Sequence, residues 1–212
     1  MGTLIGKLKQ LNEENAEYWN EPCGFKLATR TNTIGKWKEF DVEYFKLYPF
    51  LYKYLDKLSG DVLEIGTGYG TVGTYLANRC NTYVGCDIAE GPIRILKARG
   101  LNAFWSNIFL LPYRDESFDG VVSIGCIHHT GSVRDSIKVI RRLLVPGGHA
   151  LIMIYNKHAT VRPVDHNSEG VKAPYIEYTD VKQLPGLFRY WSEYKYTLEN
   201  GNNKDIYIEA VK

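Results

Sequence analysis

No run of apolar residues in this sequence approaches the ~20 needed to cross a bilayer, so neither a transmembrane helix nor a membrane partner is expected. The opening MGTLIGKLKQLNEENAEYWN has no continuous apolar stretch, which argues against a signal peptide or an anchor. Cysteine is sparse: Cys23, Cys80, Cys86 and Cys126 form no C-x-x-C pair, so reduced thiols and a cytoplasmic location are expected. The adjacent histidines His128 and His129 lack the helical spacing and nearby cysteines of a metal site, and no metal is expected. An excess of charge of one sign is missing too: 26 basic and 24 acidic residues leave a net charge of +2, with no block of like charges. Polynucleotide-binding chains usually carry a basic stripe, so the expectation is no nucleic-acid partner.

What is present is a repeating pattern. The 212 residues suit one generous domain. From Asp61 onward, short apolar runs alternate with helical periodicity. Strands are predicted at 61–65, 82–88, 102–106, 118–125 and 149–156, and helices at 69–80, 91–100 and 132–148, the last ended by Pro146-Gly147-Gly148. Repeated β-α units imply a parallel sheet covered by helices on both faces. The end of the chain differs, because two alternating runs flank Asn200-Gly201 as an antiparallel hairpin would. Residues 1–58 read as an aromatic-rich helical segment, with Phe40, Tyr44, Tyr48, Leu51, Leu55 and Leu58 on one face and Pro49 as a kink or helix start. The division predicted is a helical cap over residues 1–58 and a core over residues 59–212.

The chemistry concentrates at VLEIGTGYGT, residues 62–71. A glycine-rich turn between strand and helix presents backbone N–H groups to a ligand. The dinucleotide fingerprint G-x-G-x-x-G does not fit, because Gly66, Gly68 and Gly70 recur at every second position and Thr71 stands where the third glycine should be. Glu64, just before the turn, suits a ligand with a positive group such as an amino acid's ammonium. Asp87 ends the second strand, where a carboxylate can accept from both ribose hydroxyls.

This combination resembles motif I of the class I S-adenosylmethionine-dependent methyltransferases. The similarity continues through NIFLLPYRDESFDGVVSIGCIHHT (107–130) and RRLLVPGGHALIMIY (141–155). The resemblance implies a Rossmann-like, mostly parallel seven-stranded α/β sheet with a C-terminal antiparallel hairpin. It implies S-adenosylmethionine as cofactor, S-adenosylhomocysteine as product and no metal. Carried over residue by residue, the cofactor would be held by Glu64, Gly66, Thr67, Gly68, Gly70, Asp87, Ile88, Asn107, Ile108, Ile124 and Gly125. Asn107 stands where the family usually has aspartate facing the adenine amino group, and an amide oxygen can accept the same bond.

The loop after the fourth strand would lie beside the sulfonium, making His129 and then His128 the candidate catalytic bases. Cys126 lacks the preceding proline of cytosine-methylating enzymes and is read as packing. The YWNEPCG stretch at 18–24 is expected to form a lid, with Tyr18 and Trp19 against the acceptor and His158, Arg162, Asp165 or His166 facing it from a late loop. The expected activity is methyl transfer to oxygen or nitrogen of a small-molecule acceptor, by a monomer or homodimer. A non-catalytic cofactor-binding sensor or scaffold is the alternative.

Overall fold

The computed structural model describes residues 2–20, 37–160, 172–199 and 204–212. Helices α1 (Gly2–Asn20), α2 (Trp37–Leu47) and α3 (Leu51–Leu55) come first. The break between α2 and α3 falls at Pro49, whose ring and missing N–H end one helix before the next begins. Strands β1 (Asp61–Ile65), β2 (Thr82–Asp87), β3 (Ala103–Trp105), β4 (Phe118–Ile124) and β5 (Leu144–Tyr155) then follow. Between them lie α4 (Thr71–Leu76), α5 (Glu90–Ala98) and α6 (Val133–Leu143). The short α7 (Leu184–Leu187) precedes β6 (Glu193–Glu199) and β7 (Asp205–Val211).

The seven strands form one sheet in the order β3-β2-β1-β4-β5-β7-β6, parallel from β1 to β5 and antiparallel where β7 meets β5 and β6. This is the Rossmann-like architecture that the pattern and the family resemblance predict. Its chain order reverses direction between β1 and β4, and a parallel sheet opens a crevice beyond the carboxyl ends of such neighbours. Strand alternation divides the core between the two faces. Leu63, Val121 and Ile152 pack with Ile137, Ile140 and Phe188 on one side, while Val62, Val122 and Leu151 pack with Leu51, Leu55 and Leu96 on the other.

Several boundaries differ from expectation. Helix α6 stops at Leu143, and Pro146-Gly147-Gly148 lies inside β5. Leu144 pairs with Phe118, and the register shifts before Gly120 meets His149, so the Pro-Gly-Gly segment makes an irregularity in the strand. Phe40, predicted on the buried face of the first helices, is 41% exposed and packs edge-on against Tyr69. Tyr18, Trp19 and Asn20 are the last turn of α1, not an irregular lid; Glu21 to Gly24 lie outside the described residues. So do Asn200-Gly201, Arg162, Asp165 and His166.

A partly buried ion pair fastens α2 to the glycine-rich turn. Asp41 accepts from the Thr71 hydroxyl at 2.7 Å and is paired with Arg99, whose Nη1 donates to the Tyr69 carbonyl at 2.8 Å. The guanidinium also lies over the Trp37 ring, 4.9 Å from its centroid.

Candidate active site

The turn after β1 takes its shape from glycines. Gly66 and Gly68 have φ of 78° and 48°, a region that residues with a Cβ adopt only at a cost. At Gly66 an added Cβ would overlap the Cβ and Sγ of Cys126, whereas at Gly68 it would meet no atom within 4 Å. The first glycine therefore lets two loops close together. The second leaves open space for a ligand.

Asp87, at the carboxyl end of β2, faces that space. Its Oδ2 accepts from the Thr67 N–H and its Oδ1 from the Ala89 N–H, each at 2.9 Å. Burial raises its pKa, and the backbone donors around it act in the opposite direction. The N–H groups of Gly68 and Ile88 also act on it, and a ligand's hydroxyls would share the remaining acceptor capacity of the two oxygens.

Together these groups wall a cavity of about 230 Å³. Gly66, Gly68, Asp87, Ile88, Asn107, Ile108, Ile124, Gly125 and His129 line it. Asn107 uses its Oδ1 to cap the short turn at Ile108–Leu110, accepting from the Phe109 N–H at 2.9 Å. Only the second lone pair of that oxygen and the amide NH2 are left to meet a base.

Other expected positions fall elsewhere. Glu64 is buried behind the turn and does not line the cavity; its Oε2 accepts from the Tyr83 hydroxyl. Burial pushes its pKa up to about 8, against the hydrogen bond from Tyr83. Thr67 and Gly70 shape the turn without lining the cavity: Thr67 donates to Asp87, and Gly70 begins α4 with φ of 75°.

The two histidines separate cleanly. His129 lines the cavity, and its Nδ1 lies 2.7 Å from the Tyr175 carbonyl oxygen; that pairing requires Nδ1 to carry the proton, which leaves Nε2 as the basic nitrogen. His128 is fully buried, outside the cavity lining, and stacked on Tyr155 at 3.9 Å. Burial holds its imidazole well below the usual histidine range, with His129 adding to the effect. His128 as a base is therefore corrected: a neutral ring inside a stack does not reach a substrate.

His158 is also displaced from the role expected of it. It lies on the surface, 60% exposed, with Nε2 2.8 Å from Asp180 Oδ2.

Helix α1 supplies wall residues that motif reading missed. Asn12, Asn15 and Trp19 all line the cavity, and Trp19 sits edge-on to His129 at 4.8 Å. Asn15, only 4% exposed, donates from Nδ2 to the His129 carbonyl at 2.8 Å. That acceptor fixes the orientation of the amide. Its buried Oδ1 has no hydrogen-bond partner among the described residues. The available signal was their i, i+3, i+7 spacing, which puts all three on one face of a helix. Tyr18 is buried against Trp19, with ring centroids 4.8 Å apart, and does not line the cavity.

Among the described residues no helix is long and apolar enough to cross a membrane, and no cluster of three His, Cys, Asp or Glu side chains is placed to hold a metal ion.

Comparison with known proteins gives the site its context. Residues 63–152 match the methyltransferase domain family. The chain is 32% identical over 158 residues to the tRNA (carboxymethyluridine(34)-5-O)-methyltransferase ALKBH8 of Macaca fascicularis, covering 66% of this chain and 23% of that protein. It is 30% identical over 115 residues to the tRNA (carboxymethyluridine(34)-5-O)-methyltransferase of Arabidopsis thaliana, covering 52% and 28%. The chain thus spans about a quarter of the length of these relatives. Among solved structures, the DhpI–SAH complex shares the fold, with a TM-score of 0.64 and 17% identity over 94% of this chain and 96% of that one.

The tRNA relatives overturn the expectation of a small-molecule acceptor with no nucleic-acid partner. Net charge sums the whole surface and says nothing of a local site. One surface groove carries Lys53, Lys57 and Lys195 beside Tyr196, partly offset by Glu199 and Glu209.

Proposed function

We propose that this chain, which carries a methyltransferase domain of the S-adenosylmethionine-dependent class, transfers methyl to an oxygen of a tRNA nucleotide. An enzyme domain of this kind sets aside the non-catalytic sensor or scaffold. One observation carries the reading. Residues 63–152, which match the methyltransferase domain family, hold Gly66, Gly68, Asp87 and His129 around one cavity at the sheet's switch point, in a chain 32% identical to a tRNA methyltransferase.

The cavity wall suits S-adenosylmethionine. Gly68 leaves a path free of side chains, Asp87 retains acceptor sites for ribose hydroxyls, and the buried Oδ1 of Asn15 is an acceptor awaiting an N–H. Ile88, Asn107 and Ile108 would enclose the adenine. When bound, the cofactor supplies an electrophilic methyl on a sulfonium that departs as a thioether. The remaining tasks belong to the protein: alignment, exclusion of water and, for some acceptors, removal of a proton.

The relatives' names specify a carboxymethyluridine oxygen, and we extend that acceptor to this chain. A carboxylate with an ordinary pKa near ~4 is already ionised at neutral pH, so it needs no base. The new bond joins a carboxylate oxygen to the methyl carbon, the product is a methyl ester, and no proton moves. His129 is then a positioning residue. It holds the loop beyond β4 through Tyr175 and Asn15, and Trp19 on α1 closes the cavity over it. In this division of labour residues 1–58 act as cap and residues 59–212 as catalytic core.

The test uses the purified chain, tritiated S-adenosylmethionine, and tRNA with or without carboxymethyluridine. Label is expected only in the modified tRNA, and mild alkali should release it as an ester would. Turnover should vary little from pH 6.5 to 8.5. His129→Asn should lower it about tenfold, well short of the 10²–10⁴ expected on losing a base. Alkali-stable label, or none in tRNA, would overturn the reading.

A further inference from the structure

Beyond the cofactor wall lies a second cavity of about 430 Å³. Its lining includes Tyr44 and Tyr48 from the N-terminal helical segment, Met153 and Tyr155 from β5, and Lys204 and Asp205 at the start of β7. Ile124 and Gly125 line both this cavity and the first. Gly125, between the two, has φ of 72° and no side chain; a Cβ there would have only the Met153 methyl nearby, at 3.6 Å. A group seated in the second cavity would therefore reach the first past bare backbone.

We infer that this second cavity receives the acceptor base, and that its Lys204–Asp205 wall selects a uracil-type edge. The inference rests on the tRNA reading and names the site through which it would operate. Flat aromatic faces are the commonest platform for an unstacked base, and four tyrosines line the cavity: Tyr44, Tyr48, Tyr155 and Tyr207. The Tyr44 and Tyr48 rings lie 4.9 Å apart. Tyr155 is braced from behind by the buried ring of His128 at 3.9 Å, which gives that histidine a structural purpose. Burial, joined by neighbouring negative charge, raises the pKa of both Tyr44 and Tyr48, so their hydroxyls remain protonated donors.

The polar wall adds selectivity. Uracil presents an N3–H donor between two carbonyl acceptors. A carboxylate receives several donors at once, so Asp205 can accept the first alongside its existing contacts, and Lys204 or a tyrosine hydroxyl can donate to the second. Cytosine reverses that pattern at N3 and at its amine. It would place an acceptor against the Asp205 carboxylate.

The experiment titrates 5-carboxymethyluridine nucleoside, with cytidine as comparator, into the full chain saturated with S-adenosylhomocysteine. Variants are Tyr48→Ala and Lys204→Glu, with Tyr48→Leu and Lys204→Met as milder replacements should either melt early. The carboxymethylated nucleoside should bind at least tenfold more tightly than cytidine. Each variant should weaken it tenfold or more and raise KM for modified tRNA, while affinity for S-adenosylhomocysteine stays within twofold. Equal binding of both nucleosides, no binding of either, or unaltered affinity in the variants would overturn the inference. If the nucleoside binds as expected but tRNA is never labelled, the tRNA reading fails and the cavity assignment stands. If the variants label tRNA normally, the cavity assignment fails and the tRNA reading stands.

Discussion

Replacing Gly66 by alanine is expected to reduce affinity for S-adenosylhomocysteine by more than a hundredfold. The added methyl would overlap Cys126 at both Cβ and Sγ, so the turn after β1 and the loop after β4 could not keep their separation. The residue would also be held at φ of 78°, which costs a residue with a Cβ about 1–2 kcal/mol. A hundredfold loss corresponds to ~2.7 kcal/mol, and it arises here because the turn that should meet the ligand is pushed out of its geometry. The two causes can be separated. Adding Cys126→Gly makes room but does not relieve the backbone, so the double variant should recover part of the loss. Gly68→Ala makes a further contrast, since its methyl would enter open space. It should lose only the stability that the left-handed backbone at φ of 48° costs, with no overlap added, and still bind the cofactor poorly. A Gly66→Ala protein with parental affinity would remove the turn from the cofactor site.

Asp87→Ala should cost about a hundredfold in the same affinity. The carboxylate has two duties: it accepts from Thr67 and Ala89 at 2.9 Å each, and it keeps acceptor sites for two ribose hydroxyls. Hydrogen bonds to a charged group contribute about 1.5–3 kcal/mol each, and removal of the side chain also leaves two backbone donors unsatisfied. Asp87→Asn retains one oxygen and should fall between, near tenfold. Calorimetry on both variants checks the order, with thermal melting as the control for folding. If alanine and asparagine bind as the parent does, Asp87 does not hold the ribose.

Why the sequence made Gly66 and Asp87 legible, and not Asn15 or Glu64, has a physical answer. A glycine turn and a strand-end carboxylate act through local backbone geometry at fixed offsets, so their spacing survives in the linear order. Asn15 meets His129 across 114 residues, a contact decided by how α1 lies on the core, and no motif encodes that. Glu64 sits in a strand buried on both faces, where alternation does not say which side holds the ligand; its partner proved to be Tyr83, behind the turn. His128 and His129 are neighbours, and a single turn of helix sends one into the core and the other into the cavity wall. The sheet was the easiest to read, since the β-α repeat fixes its parallel part and the two alternating runs at 193–199 and 205–211 its antiparallel pair. The end of α6 was misread because Pro-Gly-Gly marks a helix stop as readily as an irregular strand.

Glu64 also has a consequence for the heat of ligand binding. With a pKa near 8, its carboxyl is mostly protonated at pH 7 in the free protein. A cation brought into the adjacent cavity would favour the ionised form even without contact, through the low-polarity interior. S-adenosylmethionine should therefore expel most of a proton on binding at pH 7. Its apparent enthalpy should differ between phosphate and Tris in proportion to their ionisation heats. S-adenosylhomocysteine lacks the sulfonium charge and should release less. In Glu64→Gln the dependence on buffer should vanish. At pH 9, where the carboxyl is already ionised, the two buffers should give the same heat for the parent protein as well.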